Sequence, residues 1–549
     1  MLRALAAVAL GAAPTACAAP IFWIGVIAAV GIGMSNAGND LCNAMGVTVG
    51  AGVLSLRQAV GVGALFDGLG GLLMGSRVTN TIAAGIVKRD LYSGVDGPDL
   101  LAKSMLVVMG SGGLTMLTGT MCKVPISAHH SVVGSLVAMA LLTRGPEAVE
   151  WWLVGQIVFS WIGNPLLGMA CSMVSFGMID YAILSAHQPV AAFHAHKWLI
   201  YALSMCACLP FVLVMSPQLK LPLAPALFLS CSVGLLGARY AATLSSHLAA
   251  AHAYARAAGG KGHTPTPSEQ DEEGLRAPPV GADAGDDDDA DDGDDDDDAA
   301  DDGACARMQP PALVATCSSA STELQPMIRA EPSAQTVVGS AGSRAHRSAR
   351  AARKVAAARL HESEVDAVEA LFGPLLVLSA VSVAFVHGAQ DVSNSAGPLM
   401  QLNAVLSSGA AASRSTQWPL LLAVCAFVAG DLTLGWRVIG TVGSEITDMT
   451  PSRAFAAQMG TVVALTSATL VSLPVSSSEC IIGSVIGVGL AKRYLGYADG
   501  GVELSVLRRI WTAWVLTIPY AGSIATCLFL LLNAACPFSG ASGASGDGK

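Results

Sequence analysis

Two stretches of the chain set carboxylate and amide side chains in the same order and spacing. Asn39, Asp40 and Asn43 are followed by Gly46, and Gln390, Asp391 and Asn394 by Gly397, so the glycine trails the aspartate by six in both. From Asp40 to Pro125 is 85 residues, and from Asp391 to Pro474 is 83. Each proline opens a Pro-[Ile/Val]-Ser sequence, with a glycine nine positions later (Gly134, Gly483) and a serine at ten (Ser135, Ser484). The chain therefore holds two copies of one unit. Internal repeats with polar, glycine-broken segments at corresponding positions point to the central site of a secondary transporter.

The residue types define the chemistry of each segment. Asp and Asn three apart share one face of a helix, so Asp40 with Asn43, and Asp391 with Asn394, each aim two oxygens at a common point. A carboxylate inside a bilayer costs about 2.5 to 3.5 kcal/mol on insertion scales and is kept where it meets a cation, a proton or a partner. Carboxylate with amide oxygen suits a hard cation such as sodium, and a lone aspartate suits proton exchange equally well. The second segment has the opposite preference. A proline at the first helical position, followed by Ser127 or by Ser476, Ser477 and Ser478, gives a helix N-terminus with bare N–H groups and nearby hydroxyls, which is an oxyanion site. Two such ends meeting at the midplane would cradle one tetrahedral anion.

These segments must be positioned by membrane helices. Of the 549 residues, 53% are hydrophobic and 13% charged, about half the charge of a soluble domain, and mean hydropathy is +0.56. A helix needs about 20 mostly apolar residues to cross the hydrocarbon core. Full spans are expected near 21–39, 58–78, 101–122, 151–175, 197–215, 222–243, 371–389, 418–439, 454–472 and 508–533. The stretches after Pro125 and Pro474 are shorter and polar at their start, and read as re-entrant hairpins. The expected fold is an all-α polytopic membrane protein of 10 to 12 membrane segments with inverted-repeat architecture. A Rossmann enzyme, a nucleic-acid binder and a disulfide-stapled secreted module fit poorly.

Net charge is −10, yet fourteen aspartates lie between Asp283 and Asp302, so the rest of the chain carries +4. They sit in a segment rich in Ala, Gly, Ser, Pro and Asp that is expected to be a disordered cytosolic loop over 245–370. Arg344, Arg347, Arg350, Arg353, Lys354 and Arg359 precede the next span, whereas 401–417 contains only Arg414, which places the long loop inside. The organisation read from this is an N-terminal segment 1–20 (signal peptide or start of the first span), a first membrane half 21–244, the loop, a second half 371–535 and a tail 536–549. The thirteen cysteines lack zinc-type spacing.

Plainer roles stand beside these. Asp40 and Asp391 could cap broken helices, the serines could be simple N-caps, His129 and His130 could be packing residues, and Glu479 could face water. The glycines from Gly61 to Gly75 read as close helix packing. A membrane-embedded phosphatase would need an arginine cluster beside His129 and His130, and none is near in sequence.

At these motifs the chain resembles the inorganic phosphate transporter (PiT) family, whose halves each carry a G-A-N-D-V-A-N-A-like motif and a P-V-S-T-T-H-like hairpin. The runs Ala51 to Tyr92, His387 to Pro398 (HGAQDVSNSAGP), Gly435 to Phe455 and Pro474 to Gly489 (PVSSSECIIGSVIGVG) look like the eukaryotic sodium-dependent branch almost throughout. The resemblance implies a symporter, not an enzyme, with no cofactor, carrying inorganic phosphate with sodium, or with protons as the alternative. A non-transporting phosphate sensor is the competing reading. It implies phosphate at Ser127, Ala128, His129, Ser476, Ser477, Ser478, Asn43 and Asn394. Sodium falls at Asn39, Asp40, Gln390 and Asp391, with a proton as the alternative at the two aspartates. Here the first hairpin reads Ser127-Ala128-His129-His130, the second ends in Glu479 where the family has His, Gln390 replaces Asn, and Ala37-Gly38 inverts Gly-Ala. His130 and Glu479 are coupling candidates, since both can carry a proton. The partners implied are phosphate, the coupling cation and the bilayer, with no nucleic acid and a homodimer as a compatible assembly. The plasma membrane is the first expectation, with vacuole or plastid as internal alternatives.

Overall fold

Long apolar runs with few helix breakers leave the backbone one way to satisfy its polar groups in lipid, the α-helix, and helices account for nearly all the regular structure. The computed structural model describes residues 18–94, 96–122, 124, 126–216, 219–258, 341–407, 417–439, 449–498 and 500–536. Fourteen α-helices are described: α1 (Ala18–Gly50), α2 (Leu56–Met74), α3 (Ser76–Ala84), α4 (Gly97–Met121), α5 (Ala128–Arg144), α6 (Trp151–Ile179), α7 (Pro189–Met215), α8 (Leu223–Ala258), α9 (Ala341–Asp391), α10 (Ser393–Leu406), α11 (Trp418–Leu434), α12 (Pro451–Leu470), α13 (Ser477–Tyr494) and α14 (Leu504–Ala535). Among the described residues there is no strand, and the β-bridge Val87–Val149 is isolated.

Eight of these segments are long and apolar enough to cross a membrane, and the pair α2 and α3, bent by 69°, makes up to nine. The chain is an integral membrane protein. Two of the ten expected spans differ. The span expected over 58–78 breaks at Gly75, whose N–H bonds the Gly71 carbonyl. The span expected over 454–472 is the helix α12, which is not among the segments apolar enough to cross. Its polar side chains are used internally: Gln458 donates to the Ala44 carbonyl of α1 at 2.7 Å.

The second copy of the unit breaks where the first does. Gly435, which follows α11, corresponds to Gly75 and has the same torsions, φ −59° and ψ −26°. The ends of the expected long loop are helical instead, since α8 runs on to Ala258 and α9 begins at Ala341. Both extensions are rich in Ala, the strongest helix former. The aspartate run, residues 1–17 and Glu445 lie outside the described residues.

The described residues up to 258 and from 359 onward form one compact unit, and within it the two copies exchange partners. Helix α6, which follows the first hairpin, packs on α12 and α13 of the second copy, while α14 packs on α4 and α5 of the first. Glycines permit the closest crossings. A Cβ on Gly70 would lie 1.7 Å from the Phe385 carbonyl oxygen, and one on Gly388 would lie 2.0 Å from that of Asp67, so α2 and α9 touch through their backbones. Two large apolar clusters make up most of the buried core, one around Phe372, Phe455 and Val485, the other around Ile32, Met109 and Leu402.

Candidate functional site

The two hairpin helices begin at capped N-termini. Ser127 is extended (φ −94°, ψ 119°) and its hydroxyl accepts the His130 N–H; Ser476 (φ −78°, ψ 117°) accepts the Glu479 N–H in the same way. The caps are thus the serines. Pro474 lies two residues before the cap and not at the first helical position, because Ser476 already occupies the cap; Pro125 lies outside the described residues.

Asn39 and Gln390 hold the loops that lead into these caps. Asn39 donates to the Val124 carbonyl at 3.1 Å and to Thr120 Oγ1 at 3.3 Å, and its oxygen accepts the Ile126 N–H at 3.0 Å. Gln390 makes the corresponding bonds to the Leu473 carbonyl at 3.3 Å and Thr469 Oγ1 at 2.8 Å. The longer side chain leaves its oxygen without a partner, which is what one extra methylene costs here. In both halves the amide satisfies loop backbone groups that an apolar surrounding would leave bare. Hairpin positioning therefore engages both ends of the Asn39 amide.

Asp40 and Asn43 lie one turn apart in α1, which is unbroken through the motif. Asn43 donates to Asp40 Oδ1 at 3.1 Å and approaches the Ser477 and Ser478 hydroxyls at 3.1 and 2.9 Å. Ser478 also donates to Asp40 Oδ1 at 3.2 Å, and Ser477 to Asp391 Oδ2 at 3.0 Å. The first aspartate motif therefore meets the tip of the second hairpin. Asp391 ends α9, where the helix skips one residue before α10, and the hydroxyls of Ser393 and Ser395 bond back to the Gln390 and Val392 carbonyls. Such back-bonding competes with the helical ladder.

Three imidazoles converge here. His129 Nδ1 is 3.2 Å from Asp391 Oδ1, and His387 lies with Nε2 2.7 Å from Asp391 Oδ2 and Nδ1 2.7 Å from Asp67 Oδ1. His130 stacks on Trp161, with ring centroids 3.9 Å apart, and puts Nε2 3.0 Å from Glu479 Oε1. All of these side chains are buried. Among them Asn394 has no hydrogen-bond partner for either amide atom, and His129 Nε2 and Asp391 Oδ1 are likewise unsatisfied. Buried polar atoms left bare in a native fold call for an explanation. One atom each of Asp40, His387 and Asp391 lie within 4.8 Å of one another, close enough to share a cation.

The structure thus brings together Asp40, Asn43, Ser477, Ser478, Asp391 and His129, with His130 and Glu479 paired at the same helix tips. Ser127 and Ser476 serve as caps, and Ala128 packs against Met116 and Ile126. Sequence reasoning assigned no role to His387, Asp67 or Asp431, all buried. Their signal was present, since each is an ionisable residue inside an apolar run, and His387 precedes Asp391 by one helical turn. Arg437 and Arg453 stack on Trp436 and Tyr497. A separate cavity of about 740 Å³ between α6 and α12 is lined by Trp151, Phe159, Asn164, Ser467 and Leu473 and includes none of the site residues.

A polytopic helical bundle with a buried cluster of carboxylates, amides and helix N-termini at the meeting of two repeated units is a membrane transporter for small ions. Comparison with known proteins identifies which. The chain belongs to the phosphate transporter family, which it matches over residues 36–525. It is 26% identical over 492 residues to the chloroplastic inorganic phosphate transporter 2-1 of Arabidopsis thaliana, covering 89% of this chain and 68% of that one. It is 25% identical over 525 residues to a Haemophilus influenzae protein provisionally named a phosphate permease, covering 93% and 97%. Its fold matches a solved sodium-dependent phosphate transporter with a TM-score of 0.63 at 21% identity, covering 94% of this chain and 99% of that one.

Proposed function

We propose that the protein is a sodium-coupled symporter of inorganic phosphate, with phosphate bound between the α5 and α13 tips and sodium at the aspartate motifs. The observation that carries this reading is the junction of Asp40 and Asn43 with Ser477 and Ser478, donated by the other half of the chain. The α5 and α13 N-termini offer N–H groups and partial positive charge to an anion, while the carboxylates require a cation to balance their burial. Phosphate and sodium therefore stabilise each other's binding, and that mutual dependence is what couples their movement. The two exchanged halves supply inverted-repeat rocking around a fixed site. The solved fold relative is itself titled sodium-dependent. Phosphate uptake into proteoliposomes under an imposed sodium gradient tests the reading, and absence of sodium-driven uptake would overturn it.

Proton coupling is the second reading, favoured by the contacts of His129 with Asp391 and of His130 with Glu479. Uptake driven by a pH gradient without sodium would establish it instead.

A further inference from the structure

Asp431 is a carboxylate that the duplicated motif does not supply. By the correspondence of Gly435 with Gly75, its counterpart in the first copy is Gly71, and the counterpart of Asp67 is Phe427. Phe427 and Asp431 lie one helical turn apart on one face of α11, and the Phe427 ring meets that of His387 with centroids 5.6 Å apart. Three other helices pack closely here. A Cβ on Gly430 would lie 2.2 Å from the Met34 carbonyl oxygen of α1, and one on Gly68 of α2 would lie 2.8 Å from Val428 Cγ2. One on Gly71 would lie 3.1 Å from Val424 Cγ2 and 3.3 Å from the Gly388 carbonyl oxygen of α9. Asp431 is fully buried among them, and neither of its oxygens has a hydrogen bond.

The charges that act on Asp431 are those of Asp67 first, then His387, Asp40 and Asp391, so three of the four are carboxylates. The imidazole in that set is already engaged, since His387 lies 2.7 Å from both Asp67 Oδ1 and Asp391 Oδ2. Asp67 is fully buried too, and its second oxygen is bare. Three carboxylate oxygens of α2 and α11 are thus without a partner, and a carboxylate at membrane depth is retained where it meets a cation, a proton or a partner. Oxygen donors suit a hard cation such as sodium. We propose that Asp431 and Asp67 hold a sodium ion of their own, in addition to the cation shared at the duplicated aspartates. This deepens the sodium-coupled reading above and rests on it.

The test counts sodium on the purified full chain by equilibrium ²²Na⁺ binding at saturating sodium, for the unmodified protein, Asp431→Leu, Asp67→Asn and the two substitutions together. Each single variant is expected to bind one sodium ion fewer than the unmodified chain, and the double variant to lose no more than either, because both residues serve one site. Thermal unfolding gives a second readout. Without sodium, Asp431→Leu should unfold at a higher temperature than the unmodified chain, since an apolar side chain replaces an unpaired buried charge, and added sodium should raise its midpoint by less. Should Asp431→Leu not fold, Asp431→Asn keeps the shape and reads the same loss of one ion. An unchanged sodium count in the Asp431 variants, or an unmodified chain that binds a single sodium ion, overturns the inference. An unchanged count together with an acid stabilisation that Asp431→Leu abolishes overturns it as well, by putting a proton on Asp431. Sodium-driven phosphate uptake by the unmodified chain, measured alongside, distinguishes failure of this site from failure of the coupled reading itself.

Discussion

The Ser478 hydroxyl lies 3.2 Å from Asp40 Oδ1, although the two residues are 438 positions apart and belong to different copies of the repeat. The site is therefore not contained in either half, and each half completes the other. Asp40→Asn removes the charge that a cation would neutralise while keeping the shape. Hydrogen bonds to charged groups contribute about 1.5 to 3 kcal/mol, and a cation held there loses one of the two carboxylates that face it. The expected outcome is a rise of at least about tenfold in the sodium concentration for half-maximal uptake, measured by sodium titration of phosphate uptake.

Asn43 and Asn394 correspond by repeat yet differ in partners, which separates structural from ligand-binding roles. Asn43→Ala should lower the thermal midpoint of the purified, phosphate-free protein, because it strips contacts from Asp40, Ser477 and Ser478. Asn394→Ala should leave that midpoint nearly unchanged and raise KM for phosphate instead. Thermal unfolding in detergent and uptake kinetics read the two effects separately.

Asn39→Ala should destabilise more than Gln390→Ala. Removing Asn39 bares the Val124 carbonyl and the Ile126 N–H together, whereas Gln390 serves the Leu473 carbonyl and the Thr469 hydroxyl and already leaves its own oxygen unpaired. Each bared buried group costs about 1 to 3 kcal/mol. A larger fall in thermal midpoint for Gln390→Ala would contradict the loop-anchoring assignment.

Gly70→Ala should impair folding strongly, because its Cβ would lie 1.7 Å from the Phe385 carbonyl oxygen, whereas Gly61→Ala, with nothing within 4 Å, should be tolerated. Overpacking a tight contact costs about 1 to 3 kcal/mol or more, and a backbone crossing has no side chain to move aside. The yield of monodisperse protein after purification compares the two directly.

The duplicated Asp-x-x-Asn spacing was legible in the sequence because it repeats, and so were the hairpins, marked by Pro-[Ile/Val]-Ser. Their crosswise pairing was not. Spacing shows which residues share a helix face, but only packing shows that α6 crosses to α12 and α13. Asn39 illustrates a second limit: spacing alone does not show that an amide beside a buried aspartate also anchors a loop. The role of His387 was hidden for a related reason, since its second partner, Asp67, lies 320 residues away. The break of the expected 58–78 span at Gly75 escaped notice because one glycine among six in that run carries no distinguishing mark.

Radiolabelled phosphate uptake into proteoliposomes, with sodium and pH gradients imposed separately and with Asp40→Asn and Asp391→Asn alongside, tests the central claim most directly. Uptake driven by the sodium gradient, and strongly reduced at the same sodium concentration in both variants, is the predicted result. Uptake driven by the pH gradient alone, or sodium-driven uptake that both substitutions leave unchanged, would contradict it.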